Sequence, residues 1–255
     1  MTTRHVATSA AGLIWLIARK PLAQIASEPG ARAVLEAGRV LEIIRPGQTP
    51  VAGINATLVQ TFQSYSALRA TLFAGTLAPG VQAVIYDCEN WQFTPLIEQQ
   101  EVGHYTGLAA ALTREHGLRL IAAPAVTLVK VLAPGAGDRY DRFVNAGIAA
   151  SGAAADVVDI QAQGAERDPL RYASFVIAAA GQVRAVNPDA VILAGLSTNP
   201  PGAPVYAEML ISAIHAVSGV VQGFWLNVPN PGPHCPTCNP AAPEVAISAL
   251  MGAFS

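Results

Sequence analysis

Val81-Gln82-Ala83-Val84-Ile85-Tyr86-Asp87-Cys88-Glu89-Asn90-Trp91 reads as a buried strand that runs out into reactive and polar side chains. Val81, Ala83, Val84 and Ile85 are apolar, and the run stops in Asp87, Cys88, Glu89, Asn90 and Trp91. Strand side chains alternate between faces, so Asp87 and Glu89 point the same way if the strand persists. Two carboxylates at one strand end repel. That raises a pKa and keeps one group protonated, as a general acid must be. An amide and an indole follow at once, and sugars bind such groups. The plainer alternative is that Asp87 caps a following helix and Glu89 is a solvated loop residue.

Working outward, the same strand-then-helix rhythm fills the chain. Residues 13–18, 39–44, 57–62, 118–123, 156–163, 190–195 and 220–227 read as further strands, each followed by a helical pattern. Pro21 starts the first helix, which resumes at 31–37 and stops at Gly38. Ser64 is placed to N-cap a helix over 65–73. Thr94 and Pro95 open a helix predicted to run to His116 with Ile97, Tyr105, Leu108 and Leu112 on its apolar face. Eight βα units in 255 residues predict one domain over 1–255, a single (β/α)8 TIM barrel of the α/β class. The rival is a doubly wound open sheet, but its Gly-x-Gly-x-x-Gly phosphate loop is absent.

Composition narrows the function. The chain is 52% hydrophobic and 13% charged with net charge −2, so nothing points to nucleic acid or an acidic membrane surface. No apolar run reaches membrane-spanning length. Residues 12–18 follow Arg4 and faintly imitate a signal peptide, yet Arg19-Lys20-Pro21 stands where small cleavage-site residues belong. Cys235 and Cys238 form a Cys-x-x-Cys in a proline-rich loop, read first as a loop-stiffening disulfide. A bridged pair, with a natural start upstream of Met1, would go with export, and free thiols with the cytoplasm.

In a barrel, the active site lies at the carboxyl ends of the strands. Those exits supply Gln60 from strand three, then Tyr86, Asp87, Glu89, Asn90 and Trp91 from strand four. Strand six gives Gln161, Gln163 and, beyond, Glu166; strand seven gives Asn199; strand eight gives Trp225 and Asn227. Amides, hydroxyls and indoles dominate, which suits a neutral polyhydroxylated ligand. Gln161 and Gln163 have a structural alternative as a polar layer inside the barrel, and Trp225 as simple core. His104, His116 and His215 fall on helices, and His5 and His234 are a terminal and a loop residue. No metal-binding spacing, no Gly-x-Ser-x-Gly elbow and no required cofactor is evident.

Asp87-Cys88-Glu89 resembles the last half of the Asp-x-Asp-x-Glu signature of the chitinase-like glycoside hydrolases of family 18. The resemblance implies a TIM barrel with the motif at the end of strand four. It makes Glu89 the general acid and Asp87 the residue that orients a substrate acetamido group, and it puts Trp225 at the floor of the sugar site. The first aspartate of the signature falls at Ile85, and Gln161-Ala162-Gln163-Gly164 stands where Met-x-Tyr-Asp is expected on strand six. The stretch from Tyr86 to Pro95 is also similar to uncharacterised actinobacterial proteins.

The expectation is a glycoside-hydrolase-like barrel acting on a neutral carbohydrate or glycoconjugate. Glu89 and Asp87 are its catalytic residues, and Gln60, Tyr86, Asn90, Trp91, Gln161, Gln163, Asn199, Trp225 and Asn227 bind substrate. The partner expected is a small-molecule or oligosaccharide ligand. Two alternatives stand beside it. One is a non-catalytic carbohydrate-binding barrel. The other is a lyase, isomerase or cyclase using Glu89 as acid or base in a deep apolar mouth lined by Phe62, Tyr86, Phe93 and Trp225, with a divalent metal on Asp87 and Glu89 as one variant. No second carboxylate at ordinary two-acid spacing is evident, Glu166 being the nearest.

Overall fold

The computed structural model describes residues 10–233 and 235–254. His5, Met1, Arg4 and His234 lie outside the described residues. Eight parallel strands close into one barrel in chain order: β1 Ile14–Ala18, β2 Arg39–Ile43, β3 Ala56–Phe62, β4 Val81–Tyr86, β5 Arg119–Ala122, β6 Val157–Ile160, β7 Val191–Ser197 and β8 Gly223–Asn227. The seam closes where β8 pairs with β1, Gly223 beside Ile14 and Trp225 beside Leu16. At this seam the two backbones come so close that a Cβ on Gly223 would lie 2.1 Å from the Ile14 carbonyl oxygen.

The strand alternation divides the apolar residues into two cores. Ile14, Leu16, Val59, Ala83, Ile85, Ile121, Val157, Leu193 and Trp225 fill the barrel. Their neighbours, among them Trp15, Phe62, Val84, Tyr86, Val158 and Phe224, face outward into the helix layer. Parallel strands covered on both sides are apolar on both faces, which is why they read as continuous hydrophobic runs.

That layer comprises α1 Arg19–Ile25, α2 Pro29–Ala37, α3 Tyr65–Phe73, α4 Leu96–Gln100, α5 Val102–Glu115, α6 Val129–Leu132, α7 Arg139–Asn145, α8 Pro169–Val186, α9 Ala207–Val217 and α10 Pro243–Ala253. Ser64 caps α3 as expected, its hydroxyl accepting from the Ala67 N–H at 3.1 Å.

Two expectations are corrected. The helix over 95–116 is broken at Glu101 (φ −120°, ψ 40°) into α4 and α5. The break lets α4 turn Glu98 inward, where its carboxylate accepts from the Tyr65 and Ser66 N–H groups and from the Tyr86 hydroxyl. Ile97, expected on the apolar face, is 47% exposed as a result. The helical pattern from Tyr140 to about Ala150 is a helix only to Asn145, and Gly147, at φ +68°, turns the chain into a 3₁₀ segment, Ile148–Gly152.

Candidate active site

Asp87 continues the inward parity of Ala83 and Ile85 and so stands over the barrel interior. The regular strand stops at Tyr86, but the chain stays fastened on both flanks. The Asp87 N–H donates to Phe62 O at 2.8 Å, Ala123 N–H to Tyr86 O at 3.0 Å and Ala125 N–H to Cys88 O at 3.0 Å. Asp87 is buried and caps no helix. Its Oδ1 accepts from Gln161 Nε2 at 2.8 Å, and the same nitrogen donates to Ala123 O at 2.9 Å. Burial pushes the Asp87 carboxyl well above its ordinary range, helped by the charges of Glu89 and Asp159 and opposed by the Gln161 donor. Glu89 is half-buried beside it. Burial raises Glu89 to about 7, against a hydrogen bond from Thr127 in the 3₁₀ turn Val126–Leu128 after β5.

A third carboxyl belongs to this cluster, and sequence reasoning passed over it. Asp159 alternates on β6 with Val157, which lies in the barrel core, so it points into the barrel. Its exposure is 0%, and neither carboxylate oxygen has a hydrogen-bond partner among the described residues. Burial alone raises it to about 8. The available signal was an acid embedded between Val158 and Ile160 in an otherwise apolar strand.

The remaining expected residues divide into those at the mouth and those turned elsewhere. Gln161 and Gln163 share the inward face of β6 and its exit. Gln163 lies against Gly195 of β7, where a Cβ would come within 2.5 Å of its amide carbon. Trp225, 9% exposed, forms part of the barrel core near the top, and Asn227 follows on the same face at the end of β8. In the loop after β4, the Trp91 indole N–H donates to Thr94 Oγ1 at 2.8 Å, and its ring meets Phe93 edge-on. Asn90 donates to Gln99 Oε1 at 2.7 Å and so braces this loop.

Gln60 and Tyr86 are corrections, because both have outward parity. Gln60 Oε1 accepts from the Ala78 N–H at 3.1 Å, and the Tyr86 hydroxyl donates to Glu98 at 2.9 Å under α4. Phe62 also faces the helices, so the apolar mouth that needs Phe62 and Tyr86 is not assembled. Asn199 is a loop fastener: its amide donates to Pro229 O and Asn239 O, each at 2.7 Å, and its oxygen accepts from the Thr198 hydroxyl. Glu166 is fully buried, accepts from the N–H groups of Gly164 and Ser197, and ties the exit of β6 to that of β7. Thr94, expected to cap a helix, instead donates to Gln63 O at 2.7 Å and receives the Trp91 indole.

Cys235 and Cys238 are bridged in the loop after β8, with Cα atoms 5.4 Å apart. Cys88 is a buried free thiol. Among the described residues no group of three or more His, Cys, Asp and Glu side chains is gathered to hold a metal ion, and no helix is long and apolar enough to cross a membrane. A groove of about 540 Å³ lies outside the barrel between α3, α4 and α5, walled by Tyr65, Arg69, Phe73, Ile97 and Tyr105.

No protein-family model matches the chain, and no curated protein sequence does. Among solved structures it is similar to Aspergillus clavatus Sph3 in complex with GalNAc, at 11% identity and TM-score 0.48 over 97% of this chain and 99% of that one. It is similar to catalytic-site mutants of active domain 2 of the Pyrococcus furiosus chitinase, at 12% identity and TM-score 0.49 over 98% of each chain. It is also similar to an archaeal fructose-1,6-bisphosphate aldolase, at 11% identity and TM-score 0.48 over 96% of this chain and 94% of that one.

Proposed function

We propose that this barrel is a glycoside hydrolase acting on a neutral carbohydrate or glycoconjugate, with Glu89 as the general acid. The observation that carries the reading is the pair at the exit of β4. Glu89 is half-exposed, raised to about 7, and set beside a buried Asp87. A group with that pKa holds a proton at neutral pH and can still release it. Glu89 gives its proton to the glycosidic oxygen, the bond to the anomeric carbon breaks, and water bonds to that carbon and returns a proton to Glu89. Asp87 is the electrostatic partner: when charged it holds the proton on Glu89 and stabilises the positive charge that builds on the sugar ring. Gln163 and Asn227 are the amides left for sugar hydroxyls, and Trp225 and Trp91 the indoles for its C–H faces.

A second reading, a barrel that binds carbohydrate without turnover, is favoured by one observation. Glu166, the residue expected as a second acid, has its carboxylate engaged by two backbone N–H groups. Wild type and Glu89→Gln should be compared on a panel of chromogenic glycosides and soluble oligosaccharides, reading turnover and thermal shift. The first reading expects turnover that falls about 10²–10⁴-fold in the variant, the usual weight of one general acid. Thermal shifts of equal size in both proteins, with no turnover in either, would establish the second.

A further inference from the structure

Asp159 has no place in the scheme above. It is sealed beneath the mouth, so it cannot touch a ligand, and no described residue hydrogen-bonds it. A buried carboxyl without a partner destabilises a protein unless it stays neutral. From β6 it faces the same interior as Asp87, near enough for its charge to bear on that group. Two residues along on the same face, Gln161 directs its amide nitrogen at Asp87 and at Ala123 O, leaving Asp159 without a donor.

We propose that Asp159 is a positioning residue acting through Asp87, the two forming a buried carboxyl pair that carries one proton between them, held on Asp159 so that the charge rests on Asp87 beside Glu89. This rests on the glycosidase reading above and deepens it. The asymmetry comes from hydrogen bonding. Donors stabilise a carboxylate, and Asp87 has one where Asp159 has none. Asp87 also keeps slight contact with solvent, whereas Asp159 has none. The ionisable groups around Asp159 are Asp87 from the β4 exit and the Tyr172 hydroxyl of α8, with Glu89 and Glu166 beyond them. None of these is cationic, and no Lys, Arg or His forms an ion pair with it among the described residues. Were Asp159 ionised, the repulsion would drive the proton onto Asp87 and leave Glu89 without its charged partner.

The test follows carboxyl-labelled aspartates by ¹³C NMR across pH in the wild type, Asp159→Asn, Asp87→Asn and Glu89→Gln. The wild type should show one aspartate that is neutral at pH 7 and titrates near 8, absent in D159N and retained in E89Q. In D87N the Asp159 titration should move to lower pH, because the charged neighbour against which it ionises is gone, and this keeps the test available if D159N folds poorly. In D159N, where Asn is as neutral as the protonated Asp159 it replaces, Asp87 should stay ionised at pH 7.

Thermal unfolding gives a second readout. A pKa raised in the folded state means stability is lost as pH rises from the unfolded value, about 4, toward the folded one. The D159N protein keeps a neutral side chain throughout. Its Tm should therefore gain on wild type as pH rises from about 4 to 8. An Asp159 already ionised at pH 7, or an Asp159 titration unmoved in D87N, overturns the proposal. Turnover is not read, so a chain that cleaves no glycoside leaves this pair standing, and a failed pair leaves the E89Q comparison standing.

Discussion

Glu89 sits where two influences on one proton oppose each other, and both can be moved. Burial holds its pKa at about 7, and the Thr127 hydroxyl pulls it down. A general acid works only while protonated, so kcat/KM should fall as pH rises through about 7. Thr127→Val removes a donor to the charged form, so that alkaline limb should move to higher pH; a limb that stays put would remove Glu89 as the titrating acid. Asp87 and Glu89 were legible in the sequence because carboxylates ending an apolar run stand out. Asp159 was not, because with Gln161 and Gln163 following at alternate places it merges into what looks like the polar half of an ordinary alternation. Gln60 and Tyr86 were misplaced for a related reason. At a strand exit every polar residue looks available, and only parity, fixed by which neighbours enter the barrel core, sends these two toward the helices. Asn199 and Glu166 failed as ligand candidates because their polar atoms join neighbouring loops, a pairing across 30 or 31 residues that no local pattern encodes.

Elements were read more securely than their ends. A strand covered on both faces is an apolar run and the helix after it has its own period, so the alternation survived uncertainty in every boundary. What local pattern could not supply was the break between α4 and α5. Glu101 is an acceptable helix former, and the chain breaks there because Glu98 is needed beneath the start of α3. Removing the Ser64 cap on that same start should cost about 1 kcal/mol: Ser64→Ala should lower the urea midpoint by that loss divided by the slope, with the slope itself unchanged. Between β6 and β7 the neighbour can give. Gly195→Ala would put a methyl 2.5 Å from the Gln163 amide carbon, the far end of a flexible side chain, so Gln163 should be displaced from the mouth. The expected outcome is little change in urea unfolding and, if Gln163 holds the proposed ligand, a smaller ligand-induced thermal shift.

The barrel as a whole depends on its seam. Gly223 is the position at which β8 fits against β1, and any side chain there meets the backbone of Ile14. Gly223→Ala should therefore lower stability by about 3 kcal/mol in urea unfolding, with the transition still cooperative. The same seam joins the strand made first to the strand made last. While a ribosome is still working toward Gly223, β1 has β2 on one flank and nothing on the other. Its exposed edge carries Ile14, Trp15, Leu16 and Ile17. At ordinary synthesis rates that interval lasts roughly ten to forty seconds. Through it the nascent chain is an open sheet with an adhesive border, the kind of surface that chaperones hold and crowded chains share. Shielding that one early strand until its last neighbour emerges should raise the fraction of chains that close the barrel.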